Sequence, residues 1–149
     1  QPYQFDVAMC LQVPSSLRQE EKGWDDAWLE RKLHYYFNRL DRQVLKSAHR
    51  RRKQRIPRIV VLETKPSVGW HAHAMLSSQG TGVGTEKLCM MAKLLWLEEL
   101  GAYRHDWSAS RLAWAERNDG DYGAYLTKYL SASAHNEIAK IDLGNTQLG

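Results

Sequence analysis

The sequence predicts a single α+β domain, residues 1–149, in which helices pack on the faces of an antiparallel-rich central sheet. Apolar runs of strand length alternate along the chain with longer stretches of helical periodicity. Two of those runs are joined only by residues 64–69, which is typical of a hairpin and therefore of antiparallel neighbours. The length and the 43% hydrophobic content suit one globular domain and exclude a wholly disordered chain.

The first half of the chain predicts a strand and a long helix. Residues 5–13 are β-rich and end at a proline, so they favour a strand. A polar connection follows at 14–23. From Trp24 to Leu45, apolar residues recur every three to five positions and form the stripe of an amphipathic helix. Asp25 and Asp26 lie in its first turn, where the helix dipole favours acidic groups.

A hairpin carries the strongest candidate for chemistry. The apolar run 59–62 is typical of a buried strand, and residues 70–76 form its returning partner. His71 and His73 are two residues apart on the returning strand, so both imidazoles point to the same face. Pairing around the centre of the turn brings Glu63 close to the position opposite His71. Two nitrogens and one carboxylate can then converge on one ion.

Such a set of ligands, with open positions left over, suits an octahedral divalent ion such as Mg²⁺ or Mn²⁺, and zinc also remains open. The alternative is that both histidines are half-buried structural residues of the strand.

The next helix is predicted over residues 86–100, with Thr85 as its N-cap and Gly101 as the residue that ends it. The loop at 77–84 is rich in glycine and serine but lacks the spacing of a phosphate-binding loop, which indicates a flexible connection.

The C-terminal third predicts further strands and a last helix. Residues 103–116 supply one or two strands around 110–115. Residues 118–121 form a turn and begin the helix that runs from about Tyr122 to Ser131. The tail from Ala132 onwards is expected to be a short helix or a frayed end.

The last predicted helix carries a cluster of tyrosines. At 3.6 residues per turn, Tyr122, Tyr125 and Tyr129 fall within about 60° of one another. Lys128 lies about another 60° beyond Tyr125 on the same flank. Its ammonium group can stabilise a phenolate or a phosphate oxygen. The alternative is that the tyrosine stripe packs in the core.

The positive charge of the chain is unevenly distributed. The net charge is +4, and a basic segment from Lys46 to Arg58 contains most of the excess without any acidic residue. Such a segment is typical of contact with a nucleic-acid backbone, although a solvated charged loop is the alternative. The residues that we expect to bind DNA are Arg50, Arg51, Arg52, Lys53 and Arg55.

The cysteines and the apolar runs restrict the class of protein further. Cys10 and Cys89 form no CxxC pair, which excludes a zinc ribbon and a disulfide framework. No run approaches the roughly 18 apolar residues of a membrane span. The N-terminus lacks a signal pattern. We therefore expect a soluble cytoplasmic domain with no membrane partner.

Taken together, these motifs resemble the HUH endonucleases, a superfamily of rolling-circle replication initiators, relaxases and single-strand transposases. The resemblance covers nearly the whole chain, and its residues are Glu63, the strand 70–76 and the segment 125–130. The acid eight residues before the first histidine is similar to that of viral and plasmid initiators. The segment also resembles their YxxK nucleophile motif and, with its second tyrosine, the two-tyrosine initiators. The chain departs from the family at Ala72, where a bulky apolar residue is usual, and in the first strand, which only loosely matches a Thr-rich motif.

The resemblance implies an HUH/Rep-like fold with an RRM-like core and an enzyme that nicks and joins single-stranded DNA at a plasmid or phage origin. The three ligands would hold Mg²⁺ or Mn²⁺, which would polarise the scissile phosphate. Tyr125 would attack that phosphate and give a 5′-phosphotyrosine and a free 3′-OH. Lys128 would stabilise the phosphate, and Tyr129 would act in a second transfer or pack in the core.

The partners implied are single-stranded DNA or an origin stem-loop, and a separate host helicase, because the chain contains no Walker motif. A relaxase or an HUH transposase is an alternative within the superfamily. Relaxases typically take a third histidine as a ligand, and His105 and His135 are the spare downstream histidines. A non-catalytic nucleic-acid-binding module, with structural histidines, is an alternative from another class.

Overall fold

The computed structural model describes residues 4–14, 25–66, 68–101, 109–118 and 138–148, which contain five strands and four helices. The strands are β1 (Val7–Leu11), β2 (Arg58–Lys65), β3 (Gly69–Leu76), β4 (Ala113–Arg117) and β5 (Ile138–Ile141). The helices are α1 (Asp26–Leu45), α2 (Ser47–Arg52), α3 (Thr85–Leu100) and α4 (Ala109–Leu112).

The five strands form one sheet in the order β4-β1-β3-β2-β5, and each neighbouring pair is antiparallel. The predicted α+β class with an antiparallel sheet is therefore confirmed. The predicted hairpin is β2 and β3, and β3 with its two histidines is the central strand. A central strand is hydrogen-bonded on both edges, so side chains on it are held more rigidly than side chains on an edge.

Helices α1 and α3 cover one face of the sheet, which we call the helix face. Asp25 is the N-cap of α1 and accepts a hydrogen bond from the amide of Trp28 at 2.9 Å. The Tyr36 hydroxyl donates to the carbonyl of Ala92 at 2.7 Å, which joins α1 to α3 inside the core. The main core cluster combines the buried side chains of both helices with alternate residues of the sheet, namely Val7, Met9, Leu11, Val60, Leu62, Ala72, Ala74 and Leu76.

The other face of the sheet, which we call the second face, carries the side chains of the opposite parity. Phe5, Ile59 and Met75 form a smaller buried cluster there. The same face carries Glu63 and His71, which are opposite each other in the β2–β3 register. The sheet therefore separates a hydrophobic core from a face that holds ionisable groups.

Three local predictions are corrected by the structure. The tail was expected to be helical or frayed, but residues 138–141 form β5, because the outer edge of β2 offers unpaired backbone groups and these residues complete its ladder. The loop conformation in the alternative interpretation of the basic segment does not hold for residues 47–52, which form the short helix α2. Thr85 was expected to be an N-cap; Gly84 holds that position instead, since the Thr85 hydroxyl donates to the Asp6 carboxylate at 2.6 Å.

A buried ion pair anchors the start of β2 to α1. Arg58 and Asp41 are 3% and 0% exposed, and their Nη1 and Oδ1 atoms are 2.8 Å apart. The Arg58 guanidinium also lies 4.4 Å from the ring centroid of Phe37 and donates to the carbonyl of Asn145 at 2.9 Å. Arg58 belongs to the basic segment in sequence, but its burial removes it from any surface that could bind DNA.

We expect Arg58→Ala to lower the free energy of unfolding by about 3–5 kcal/mol, because it leaves the buried Asp41 carboxylate without its main counter-charge. Urea denaturation measures the change. Arg55→Ala is the matched control, since Arg55 is partly exposed and lies 3.6 Å from the same carboxylate; its cost should be below about 1 kcal/mol. Equal losses for the two variants would contradict the assignment of the anchor to Arg58.

Candidate metal centre

The hairpin brings the three predicted metal ligands together on the second face of the sheet. Glu63 on β2 is directly opposite His71 on β3, and His73 follows two residues along β3 on the same face. The three side chains are 1%, 3% and 8% exposed, respectively. The predicted convergence of two histidines and one carboxylate from adjacent strands is thus present in the structure.

The distances between the ligand atoms suit a shared ion. Oε1 of Glu63 lies 3.3 Å from Nε2 of His71 and 3.8 Å from Nε2 of His73. One ligand atom from each residue lies within 4.8 Å of the other two. Two imidazole nitrogens and a carboxylate oxygen could hold Mg²⁺, Mn²⁺ or Zn²⁺.

A backbone hydrogen bond determines which nitrogen of His71 faces the site. Nδ1 of His71 lies 2.9 Å from the carbonyl oxygen of Gly69. A carbonyl oxygen only accepts, so Nδ1 is the donor, and in the neutral ring Nε2 then carries the lone pair. Metal-binding histidines are commonly oriented by a hydrogen bond of this kind on their other nitrogen.

The arrangement of acceptors fits a bound cation. Oε1 of Glu63 is buried and, within the part of the chain that the structure describes, makes no hydrogen bond. It faces Nε2 of His71, which is an acceptor in the neutral ring. Two acceptors at 3.3 Å repel each other, and a cation bound to both would convert that repulsion into attraction.

The electrostatics of the site favour the metal-binding forms of Glu63 and His73. Burial opposes ionisation of Glu63, but its neighbours His73, His71 and Lys65 outweigh the effect of burial and lower its pKa. Burial lowers the pKa of His73, which favours the neutral imidazole. Nζ of Lys65 lies 3.5 Å from Oε1 of Glu63 and balances the carboxylate charge.

Ala72, the residue at which the chain departs from the HUH pattern, belongs to the opposite layer of the structure. It is 1% exposed and is part of the main core cluster on the helix face. Its register partners are Leu11 on β1 and Leu62 on β2, which fill the space around it. The departure therefore concerns packing in the core and leaves the ligand atoms unaffected.

The predicted nucleophile lies outside the described residues. The helix predicted over 122–131, with Tyr125, Lys128 and Tyr129, falls there, as does the spare histidine pair His105 and His135. Their roles remain predictions.

The basic segment lies at the far end of β2 from the metal ligands. It ends at Arg58, and Glu63 is five residues further along the strand, which corresponds to about 16 Å. Arg50, Arg51, Arg52 and Lys53 are exposed on α2 and its C-terminus, whereas Arg55 is partly buried and donates to Asn38 Oδ1 at 2.7 Å. The structure therefore does not bring the predicted DNA-binding residues into the metal centre.

Three residues that flank the metal centre are not apparent from the sequence pattern alone. Cys10 on β1 is the register partner of His73, and Trp114 on β4 is the register partner of Cys10. Gln12 continues the same alternation beyond the end of β1. Burial raises the pKa of Cys10 to about 11, so its thiol stays protonated. The alternation of β1 would have placed Cys10 and Gln12 on one face, but only the pairing with β3 shows that this is the face with the histidines.

Comparisons with protein-family models, curated proteins and solved structures gave no match to this chain. Within the described ranges, no helix combines the length and apolar character needed to cross a membrane. Fold and site geometry are therefore the observations on which a function can be based.

Proposed function

We propose that this protein is an HUH-type endonuclease that nicks and joins single-stranded DNA with a tyrosine nucleophile and initiates rolling-circle replication of a plasmid or phage. The observation that carries the proposal is the buried Glu63–His71–His73 trio on adjacent strands in the middle of the sheet. A carboxylate between two buried imidazoles is costly to maintain for packing alone. A metal bound by the trio would account for this arrangement.

The arrangement of strands supports the same proposal. Leaving out the short helices α2 and α4, the chain reads β-α-β-β-α-β and then β5, and the first four strands are arranged as β4-β1-β3-β2. This order resembles the split βαβ arrangement of ferredoxin-like cores, and it supports the RRM-like core of an HUH/Rep-like fold as part of the proposal. Fold alone does not define function, so the metal trio remains the deciding observation.

The residues of this chain have separate roles in the proposed reaction. The ion held by the trio would neutralise charge on the scissile phosphate. The phenol oxygen of Tyr125 forms a bond to phosphorus while the bond to the 3′ oxygen breaks. The phenol loses its proton, and the leaving oxygen takes one up as a free 3′-OH. Lys128 stabilises charge on the phosphate oxygens, and Tyr129 is available for a second transfer in the reverse direction.

The identity of the third ligand favours an initiator over a relaxase. Relaxases of the superfamily typically use a third histidine, whereas the group assembled here contains the carboxylate of Glu63. A carboxylate makes the site less positive when loaded and better suited to the hard ions Mg²⁺ and Mn²⁺.

A covalent trapping experiment tests the proposal. The protein is incubated with Mn²⁺ and a pool of labelled stem-loop oligonucleotides whose single-stranded parts are randomised, and the products are separated on a denaturing gel. We expect a protein–DNA adduct that requires Mn²⁺ and disappears with EDTA. Binding of the pool without any adduct would favour the non-catalytic nucleic-acid-binding module instead.

The basic segment gives a separate prediction about binding. Replacing Arg50, Arg51, Arg52 and Lys53 with alanine should weaken DNA binding with little sequence bias, since phosphate contacts position DNA and do not read its sequence. The slope of log K against log salt should become shallower by about 0.7 for each lost contact with a single strand. Fluorescence anisotropy at several salt concentrations measures both effects.

The matched control is Lys87→Ala, which removes an exposed cation from α3. It should leave the slope nearly unchanged. If the four-residue variant also keeps the wild-type slope, the basic segment is a solvated charged surface with no role in binding.

A further inference from the structure

On the second face of the sheet, the side chain on β4 that is nearest to the metal trio is exposed. Trp114 pairs with Cys10, and Cys10 pairs with His73, so the three side chains form a row on one face. Trp114 is two strand spacings from His73, or about 10 Å. Exposure rises along this row, since His73 is 8% exposed, Cys10 is half-buried and Trp114 is 40% exposed.

We infer that this flank of the trio is a binding subsite for a nucleobase of single-stranded DNA, with the indole of Trp114 as the stacking surface. The inference rests on the proposed function, because it places a base beside a phosphate held at the metal centre. Bases stack on exposed aromatic side chains regardless of sequence, since each base has a π face. Sheet-based RNA-binding modules hold unpaired bases on aromatic residues of the sheet in the same way.

Gln12 adds a polar group to the same flank. Its backbone amide donates to the carbonyl of Leu112 at 2.8 Å, which continues the β1–β4 pairing by one residue. Its Nε2 lies 3.9 Å from Sγ of Cys10. Its Oε1 is buried and, among the residues that the structure describes, has no hydrogen-bond partner. A buried acceptor without a partner is costly, and rotation of the half-buried Gln12 amide toward the flank would let an exocyclic amine or ring N–H of a base donate to it.

The charges on β4 favour a base over a phosphate at this subsite. Glu116 is exposed and lies two residues from Trp114 on the same face. Arg117, the cation of β4, has the opposite parity and pairs with Glu86 on α3 at 3.2 Å. A phosphate beside Trp114 would meet a carboxylate, whereas an uncharged base meets the indole. The strand therefore lies with its phosphate toward the trio and its base toward β4.

A binding experiment without metal tests this subsite. Anisotropy of a labelled 12-nucleotide single strand of mixed sequence is measured in EDTA, so that no cleavage contributes. We expect Trp114→Ala to weaken binding by about 5- to 100-fold and Trp114→Phe to retain most of the affinity. An oligonucleotide of the same length with abasic sites should bind wild type and Trp114→Ala equally. Tyr35→Ala is the matched control, since Tyr35 is a 66% exposed aromatic residue on α1.

The outcomes separate this inference from the proposed function. Equal affinity of wild type and Trp114→Ala for the base-containing strand overturns the subsite, whether or not the protein forms an adduct. Weaker binding by Trp114→Ala, without any adduct under the trapping conditions, supports the subsite and overturns the nuclease. Thermal unfolding verifies that Trp114→Ala is folded, and Trp114→Gln replaces it in the same comparison if it is not.

Discussion

Glu63→Gln and His71→Ala should each abolish Mn²⁺ binding and DNA cleavage together. Glu63→Gln keeps the size of the side chain but removes its charge, and His71→Ala removes the nitrogen that lies 3.3 Å from that carboxylate. Changes to groups around a metal site that do not bind the ion already cost about 10–100-fold in affinity, so losing one of three ligands should cost about 100-fold or more. Titration calorimetry with Mn²⁺ measures the affinity, and the trapping gel measures cleavage.

The matched control for this prediction is His34→Ala. His34 is an exposed histidine on α1, and its ring Nε2 lies 3.2 Å from Nδ2 of Asn38. It should bind Mn²⁺ as wild type does. Saturating metal should also raise the stability of wild type, by about 2.7 kcal/mol at 100 times the dissociation constant, and should leave the ligand variants unchanged. Unaltered Mn²⁺ affinity in both variants would show that the trio is a structural cluster.

The metal trio could be predicted from sequence because all of its members belong to one hairpin. A short connection limits the register of two antiparallel strands to a few possibilities, and the predicted pairing of Glu63 with His71 is the observed one. Alternation along one strand then places His73 on the same face. Each step uses only neighbours in sequence, and local patterns determine such neighbours well.

The features that the sequence analysis missed depend on pairing between distant segments. Strand β5 is only four residues long, and it is stabilised by the open edge of β2, more than 70 residues earlier. Trp114 likewise lies beside the trio only because β4 pairs with β1, where its register partner Cys10 is about 100 residues away in sequence. Thr85 has the residue type and position typical of a helix N-cap, but its hydroxyl donates a hydrogen bond to Asp6, 79 residues earlier in the chain. The pattern of residues within one segment does not show which distant segment it pairs with.

Tyr125→Phe is expected to remove the covalent protein–DNA adduct, with a loss of at least about 1,000-fold, because it deletes the attacking oxygen. Tyr125 has a lysine three residues further on, the spacing of the nucleophile motif that the segment resembles, whereas Tyr129 has no matching lysine. A phenol with a pKa near 10 needs help to attack at neutral pH, and a nearby ammonium provides it by stabilising the developing negative charge. Denaturing gels with wild-type and variant protein measure the adduct.

The neighbouring tyrosines supply the controls that make this assignment decisive. Tyr129→Phe should still form the first adduct but lose a second strand transfer, which a doubly labelled donor and acceptor pair would reveal. Tyr122 stands beside Asp121, whose charge disfavours a phenolate, so Tyr122→Phe should form the adduct at the wild-type rate. Mass spectrometry of the trapped peptide identifies the modified ring directly. An adduct on Tyr129 or Tyr122 in the wild-type protein would show that another ring is the nucleophile, while the metal trio would keep its role, because the ligands and the attacking oxygen are tested by separate variants.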